Sequence, residues 1–330
     1  MKNFEYAEPR TEEQLLALLS PELGHTELLA GGTDLIGLMK KMVIQPERVV
    51  NLMEVESLRR LGPDEDGNLW IGATVHLDEL LAIPYMENYP AIVQAIRGMN
   101  SMQLQAQGTI GGDICVRPRC WFFRQGHGLL AQGGRLVEEG DNRHHAILGN
   151  EGAAKFVSGT RIGPALIALN AEMRILGPKA DEEKFIPVAD FYRIPRHERE
   201  RETILMPGQV VTHFILPPVE QPHNATYEVR HGEGADYPLA AAAASLDLQG
   251  GVVRRAKVVL GQVAPIPWIS HEAEAALVGR PVSPQTAEEA GQAAVSRAQP
   301  LSHNGYKVQL AKTAVKRAIL LAAGMETGGF

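Results

Sequence analysis

Cysteine is almost absent from this 330-residue chain, which holds only Cys115 and Cys120. Two thiols do not make the disulfide framework of a small secreted domain. They also fall short of the four thiolates that an iron–sulfur cluster normally takes. The sequence therefore predicts buried or half-buried thiols and no cluster or other metal held by this chain alone. Basic charge is not in excess either: 32 Lys and Arg stand against 39 Asp and Glu, for a net charge of −7. Phosphate backbones are bound through concentrated basic surface, so a nucleic-acid partner is excluded. No window approaches the run of about 18 apolar residues that a membrane span needs. The first twenty residues carry Glu5, Glu8, Glu12 and Glu13 and lack the apolar core of a secretory leader. A cytoplasmic chain is the expectation.

Several familiar motifs are missing as well. Gly32 and Gly37 have the spacing of a phosphate-binding P-loop, but Leu38 stands where lysine is required. Gly232-Glu233-Gly234 opens a dinucleotide fingerprint and then runs on as Ala235-Asp236-Tyr237. No H-E-x-x-H or G-x-S-x-G occurs. His144-His145 lacks the third and fourth ligands of a zinc site and reads as a solvated loop beside Asp141, Asn142 and Arg143. The alternating charges of Arg193 to Glu202 read as another solvated loop.

What is present is a soluble, globular composition: 45% hydrophobic residues, with a mean hydropathy of −0.12. The length suits two or three domains. Two short glycine pairs stand out. Ala30-Gly31-Gly32-Thr33-Asp34 follows the apolar Leu28-Leu29, and Thr109-Ile110-Gly111-Gly112-Asp113 has the same form. Each reads as a tight turn at a strand end. Glycine tolerates positive φ and carries no side chain, so such a turn can aim successive backbone N–H groups at one spot. A concave row of amides is a seat for phosphate oxygens, and two such turns suggest a diphosphate gripped from both sides.

Around these turns the pattern alternates helix and strand. Thr11-Glu12-Glu13-Gln14 reads as a capping box before a helix through Leu19, stopped at Ser20-Pro21. Strands are predicted at Glu27 to Ala30 and Arg48 to Leu52, with a helix over Leu35 to Met42 between them. A second unit starts near Leu58, with a strand at Leu69 to Ala73, a helix opening at Leu77 and another from Pro90 to Met99. Residues 114–155 read as an insertion that docks on a surface. A helix at Pro164 to Ala171 and a strand at Val210 to Leu216 follow, and Pro217, Pro218 and Pro222 mark a boundary. Beyond it, Ala240 to Leu248 and Val252 to Leu260 flank Gln249-Gly250-Gly251 as a hairpin. Helices are predicted after Ser270, after Ser283-Pro284, and from Tyr306 to Ala322.

With both glycine turns in hand, the chain resembles the FAD-binding (medium) subunit of the molybdenum hydroxylases, the xanthine dehydrogenase, carbon monoxide dehydrogenase and aldehyde oxidoreductase type. Leu28 to Leu35 is similar to the family's first flavin loop, and Thr109 to Asp113 to its second. Asn51-Leu52, Ile71-Gly72-Ala73 and the block Leu301-Ser302-His303-Asn304-Gly305-Tyr306-Lys307 also match, in order, over nearly the whole length.

The resemblance implies an α+β fold. A two-subdomain FAD-binding module of the vanillyl-alcohol-oxidase (PCMH) type, residues 1–56 and 57–220, precedes an α+β C-terminal domain with an antiparallel sheet, residues 221–330. It implies FAD in this chain, with molybdopterin and [2Fe-2S] clusters on a large and a small partner subunit, in an assembly compatible with a dimer of heterotrimers. Electrons would pass from the clusters through FAD to an external acceptor, with no catalytic acid or base in this chain. The implied cofactor-binding residues are Leu29, Ala30, Gly31, Gly32, Thr33, Asp34 and Leu35 around the pyrophosphate, with the amides of Ala30 to Asp34 holding it. Thr109, Gly111, Gly112 and Asp113 would face it or the ribityl chain from the other side. Val211, Asp236 and Tyr237 would lie near the flavin ring.

Two departures matter. Thr160-Arg161 stands where xanthine dehydrogenases place a flavin-contacting aspartate. Cys115 to Arg124 is similar to an insertion that carries an extra cluster in some aldehyde oxidoreductases, here without the remaining cysteines. Its aromatic and arginine content implies contact with a partner, so deleting 117–124 should weaken assembly before flavin binding. Relatives that leave the cytoplasm on a partner's twin-arginine signal keep periplasmic co-export open. A stand-alone flavin oxidase or reductase of the same module is the alternative, and an assembly protein that has lost flavin a third.

Overall fold

A computed structural model gives the structure; it describes residues 1–327 apart from 180, 220, 221 and 233. Three sheets organise it. The first holds β1 (Glu5–Ala7), β2 (Thr26–Leu29) and β3 (Arg48–Asn51), all parallel, in the order β1-β3-β2. The helices Glu12–Leu18 and Leu35–Lys40 make the crossovers that parallel pairing requires. The Thr11 hydroxyl caps the first by accepting from the Gln14 amide at 3.2 Å. The Gln14 side chain turns to the Arg10 amide at 2.9 Å, so the box forms on one side only. Leu15 and Leu16 of that helix pack on Val50, Leu52, Val55 and Leu58.

The second sheet is antiparallel throughout. Its strands are β4 (Leu61–Pro63), β5 (Leu69–Gly72), β6 (Glu172–Leu176), β7 (Glu183–Pro187) and β8 (Val210–Leu216), in the order β4-β5-β8-β6-β7. Every residue of the central β8 is buried, which suits its mostly apolar run; its two polar members, Thr212 and His213, are hydrogen-bonded inside. The helices Pro90–Arg97 and Gly163–Ala168 cover this sheet with Ile92, Ala95, Ile96, Ala165 and Leu166. Among the strands of these two sheets the sequence pattern missed β1, β4, β6 and β7: all are short, β6 and β7 pair with each other as neighbours along the chain, and β1 pairs with the distant β3.

The third sheet runs β12-β11-β10-β9, with β9 (Asn224–Val229), β10 (Ala240–Gln249), β11 (Val252–Gly261) and β12 (Trp268–Ile269) antiparallel. The predicted hairpin is there: Gly250 and Gly251 have φ of +60° and +81°, both positive as a tight two-residue turn demands. Alternation along β10 assigns its faces. Ala240, Ala242 and Ala244 pack with the helices His271–Leu277, Pro284–Ala294 and Tyr306–Ala322. Ala243 joins the core of the second sheet. Both faces are covered, so the run stays small and apolar.

The segment 114–155 does not stand off the surface. Cys120, Phe123, Leu129, Leu130, Val137 and Phe156 form a small core of their own against Leu38 of the helix Leu35–Lys40. The block 301–307 clamps its far end. The His303 amide donates to Asn142 Oδ1 at 2.9 Å, and Asn142 Nδ2 donates to Ser302 Oγ at 2.8 Å. Asn304 Nδ2 donates to the carbonyls of His145 and Ala146. The buried Lys307 ammonium donates to the carbonyls of His144, His145 and Gln262. The expected solvated loop at His144-His145 is corrected accordingly: His145 is 2% exposed, with its Nε2 3.1 Å from Cys120 Sγ.

Candidate functional site

The first glycine turn leaves β2 at the carboxyl end of a parallel sheet, the edge where open α/β sheets place ligands. Its glycines are there for two reasons. A Cβ on Gly31 would lie 1.7 Å from the Gln107 carbonyl oxygen, because this turn packs directly against the backbone leading into the second. Gly32 has φ of +72°, a conformation that L side chains rarely adopt. Among the described residues, no hydrogen bond ties the amides of Gly31, Gly32, Thr33 or Asp34 to another group. Four successive donors stay available at one turn.

The second turn is built differently. Thr109 caps the short helix Ile110–Ile114. The Ile110 amide donates to Val75 O, Gly111 to Ala73 O at 2.9 Å, Gly112 to Thr109 Oγ1 at 3.1 Å and Asp113 to Thr109 O at 3.0 Å. Its donors are used inside the protein, so it is no second row of free amides. Its first glycine is required by packing: a Cβ on Gly111 would lie 2.7 Å from Ala73 O.

Both turns open on one cleft. Ala30, Gly31, Gly32, Thr33, Asp34, Leu35, Thr109, Gly111, Gly112 and Val211 all line it. Leu29 lies behind the first turn, its Cδ1 3.2 Å from where a Gly32 Cβ would be. Asp113, Asp236 and Tyr237 are not in the cleft wall. The Asp113 carboxylate accepts from the Thr160 hydroxyl at 2.6 Å and from the amides of Arg161 and Ile162, tying the second turn to the start of the helix Gly163–Ala168. Enclosure by protein pushes that carboxyl up, against the pull of those hydrogen bonds. Asp236 is exposed. The half-buried Tyr237 ring lies 5.0 Å from the Arg119 guanidinium and 5.9 Å from that of Arg161. Arg161, at the place of the family aspartate, pairs with Glu228 of β9, their side chains 3% and 7% exposed.

The arginines of the segment after the second turn converge on the first. Asp34 accepts from Arg124 Nη1 at 2.7 Å, from Arg119 Nη1 at 3.4 Å and from the Arg117 amide at 3.2 Å. Arg117 Nε donates to Glu202 Oε1, and its guanidinium lies 5.0 Å from the Phe123 ring. The charged run Arg193 to Glu202 is therefore docked and not simply solvated. Glu198 accepts from the amides of Leu129 and Leu130, Arg201 pairs with Glu27 at 2.8 Å, and Glu202 is buried.

Cys115, Arg117, Arg201 and Glu202 line the cleft but were not among the sequence candidates. The dense charge at Arg193 to Glu202 was the signal available for Arg201 and Glu202, and the arginine-rich stretch Cys115 to Arg124 that for Cys115 and Arg117. Cys115 is exposed to the cleft yet deep within it; burial, with the Glu202 and Asp113 carboxylates nearby, pushes its thiol up to about 12. It is neutral at ordinary pH. Among the described residues, no group of three or more His, Cys, Asp or Glu is placed to hold a metal ion, and no helix is long and apolar enough to cross a membrane.

Comparison with known proteins gives the family. Residues 2–219 match the model of the FAD binding domain in molybdopterin dehydrogenase, and residues 225–322 that of the CO dehydrogenase flavoprotein C-terminal domain. The chain is 28% identical to the aldehyde oxidoreductase FAD-binding subunit PaoB of Escherichia coli (strain K12), over 94% of this chain and 96% of that one. It is 24% identical to the carbon monoxide dehydrogenase medium chain of Hydrogenophaga pseudoflava, over 96% of each. In fold it is similar to a chain of quinoline 2-oxidoreductase from Pseudomonas putida 86, with a TM-score of 0.76 and 22% identity over 98% of this chain and 99% of that one. A family model that spans most of its length, joined to the expected C-terminal one, places this chain in the family of FAD-binding subunits of the molybdopterin dehydrogenases, as an oxidoreductase subunit with FAD as its cofactor.

Proposed function

We propose that this chain carries FAD in the cleft between its glycine turns and passes electrons from iron–sulfur clusters of a small partner subunit to an external acceptor. A large partner subunit would hold the molybdopterin, in a heterotrimer that pairs into a dimer. The observation that carries the reading is the row of unpaired amides at Gly31 to Asp34, in a cleft that the second turn closes from the other side. The medium-chain name of a relative that matches end to end supports the assembly, because a medium chain implies a larger and a smaller one.

Bound FAD would supply the redox chemistry, since a flavin takes up electrons singly and gives them up in pairs. This chain's residues bind and position it. The amides of Gly31 to Asp34 hold the pyrophosphate oxygens, with the Thr33 hydroxyl beside them. Gly111 and Gly112 let backbone approach the cofactor closely. Val211 lends an apolar surface, and the neutral Cys115 puts no charge nearby. No residue here is asked to move a proton. The same reading divides the chain into residues 1–56, 57–220 and 221–330.

The test is purification of the chain from its native background, with a visible absorption spectrum and mass spectrometry of what comes with it. Flavin bands and co-purifying iron–sulfur and molybdopterin subunits are expected. A colourless chain that cannot be loaded with FAD overturns the reading.

A further inference from the structure

Glu202 is 6% exposed and lines the cleft. Its Oε1 accepts from Arg117 Nε, but its Oε2 is out of solvent and has no partner. Buried carboxylate oxygens are rarely left without a donor, because the lost solvation is not recovered. The buried Thr26 hydroxyl, in the same wall, is also unpartnered. A carboxylate repels phosphate, so what Glu202 awaits is an O–H or N–H donor. Its position narrows the choice. The Arg117 amide donates to Asp34 of the first turn while the Arg117 guanidinium donates to Glu202. Glu202 thus sits one arginine side chain from the pyrophosphate seat, the reach of a hydroxyl on the sugar or ribityl chain attached to it. A carboxylate against such hydroxyls is a pairing that dinucleotide sites use.

We propose that Glu202 Oε2 accepts a hydrogen bond from a ribose or ribityl hydroxyl of the bound FAD, which makes Glu202 a positioning residue for the cofactor. The inference rests on the FAD reading above. The test is titration of FAD-stripped full-length chain with FAD, followed by flavin fluorescence, in wild type and Glu202→Gln. The glutamine keeps an oxygen for Arg117 and puts an NH2 donor where the acceptor was. The FAD dissociation constant should rise about tenfold or more, while the melting temperature of the stripped protein stays near that of wild type. Competition with ADP locates the donor. A parallel loss for ADP puts it on the ribose, and unchanged ADP binding puts it on the ribityl chain. Unchanged FAD affinity in Glu202→Gln overturns the inference, as does a fall in stripped-protein stability that accounts for the whole loss. Should the variant fail to fold, wild type is titrated with FAD analogues lacking ribityl or ribose hydroxyls. Weaker binding of one analogue supports the inference, and equal binding of all overturns it. A wild-type chain that takes up no FAD overturns both readings.

Discussion

Gly31 and Gly112 look alike in sequence and do different work. A methyl group on Gly31 would collide with backbone, 1.7 Å from Gln107 O, whereas one on Gly112 would meet only Thr109 Oγ1 at 3.0 Å. Gly31→Ala should therefore cost about 3 kcal/mol, as overpacking without a way to relax does, and lower the FAD content of the purified protein. Gly112→Ala should cost clearly less. Thermal melts and flavin absorbance on the two variants check the contrast. His145 sets a pH dependence. Burial, helped by the Lys307 ammonium, lowers its pKa from 6.5 to about 4. Between pH 6.5 and pH 4 the unfolded chain takes up a proton that the folded chain refuses, so stability falls as pH drops through that window. At 1.36 kcal/mol per pH unit the loss reaches about 3 kcal/mol. Urea midpoints measured across this range should show it, and His145→Gln should flatten the curve.

Among the elements, the segment 114–155 changed most between sequence and structure. Its arginines and aromatics suggested an anchor for a partner. In the fold, Phe123 is buried in the segment's own core, and Arg117 and Arg124 are bound to Glu202 and Asp34 beside the cleft. Deleting 117–124 should then reduce FAD uptake together with any effect on assembly, which absorbance of the purified variant would reveal. The block 301–307 is the matching clamp at the other end. Asn304 is fully buried, accepts from the Leu301 amide at 2.7 Å and donates to two carbonyls. Asn304→Ala leaves those groups unpaired and should cost about 2–3 kcal/mol, read as a lower urea midpoint. The block's place near the C-terminus hid this role, since its partners lie far back in the chain.

For the whole molecule, the cofactor should act as a staple. The cleft draws its walls from β2 and the turn after it, from Ala73 just after β5, from the second glycine turn and residues 115–117, from residues 201–203 and from the start of β8. Anything bound there holds the first and second sheets together. A ligand that binds only the folded state adds about 2.7 kcal/mol when present at a hundred times its dissociation constant. The melting temperature of the FAD-loaded chain should thus exceed that of the stripped chain and rise with added FAD. A melting temperature indifferent to FAD would contradict this.

Sequence by itself determined the local and periodic features. Local residues specify the two glycine turns, the Gly250-Gly251 hairpin, the strand β8 and the capped helices after Ser270 and Ser283, because each is written in neighbouring residues. The sequence also carried the resemblance that pointed to FAD and to an α+β fold. Tertiary structure alone decided which amides stay free. The two turns read the same, yet the second spends its donors on Ala73, Val75 and Thr109, and the first keeps its own. It alone brought Glu202 and Cys115 into the cleft and turned Arg161 toward Glu228. These outcomes depend on which distant backbone or side chain arrives to accept a hydrogen bond, and no local pattern encodes that arrival.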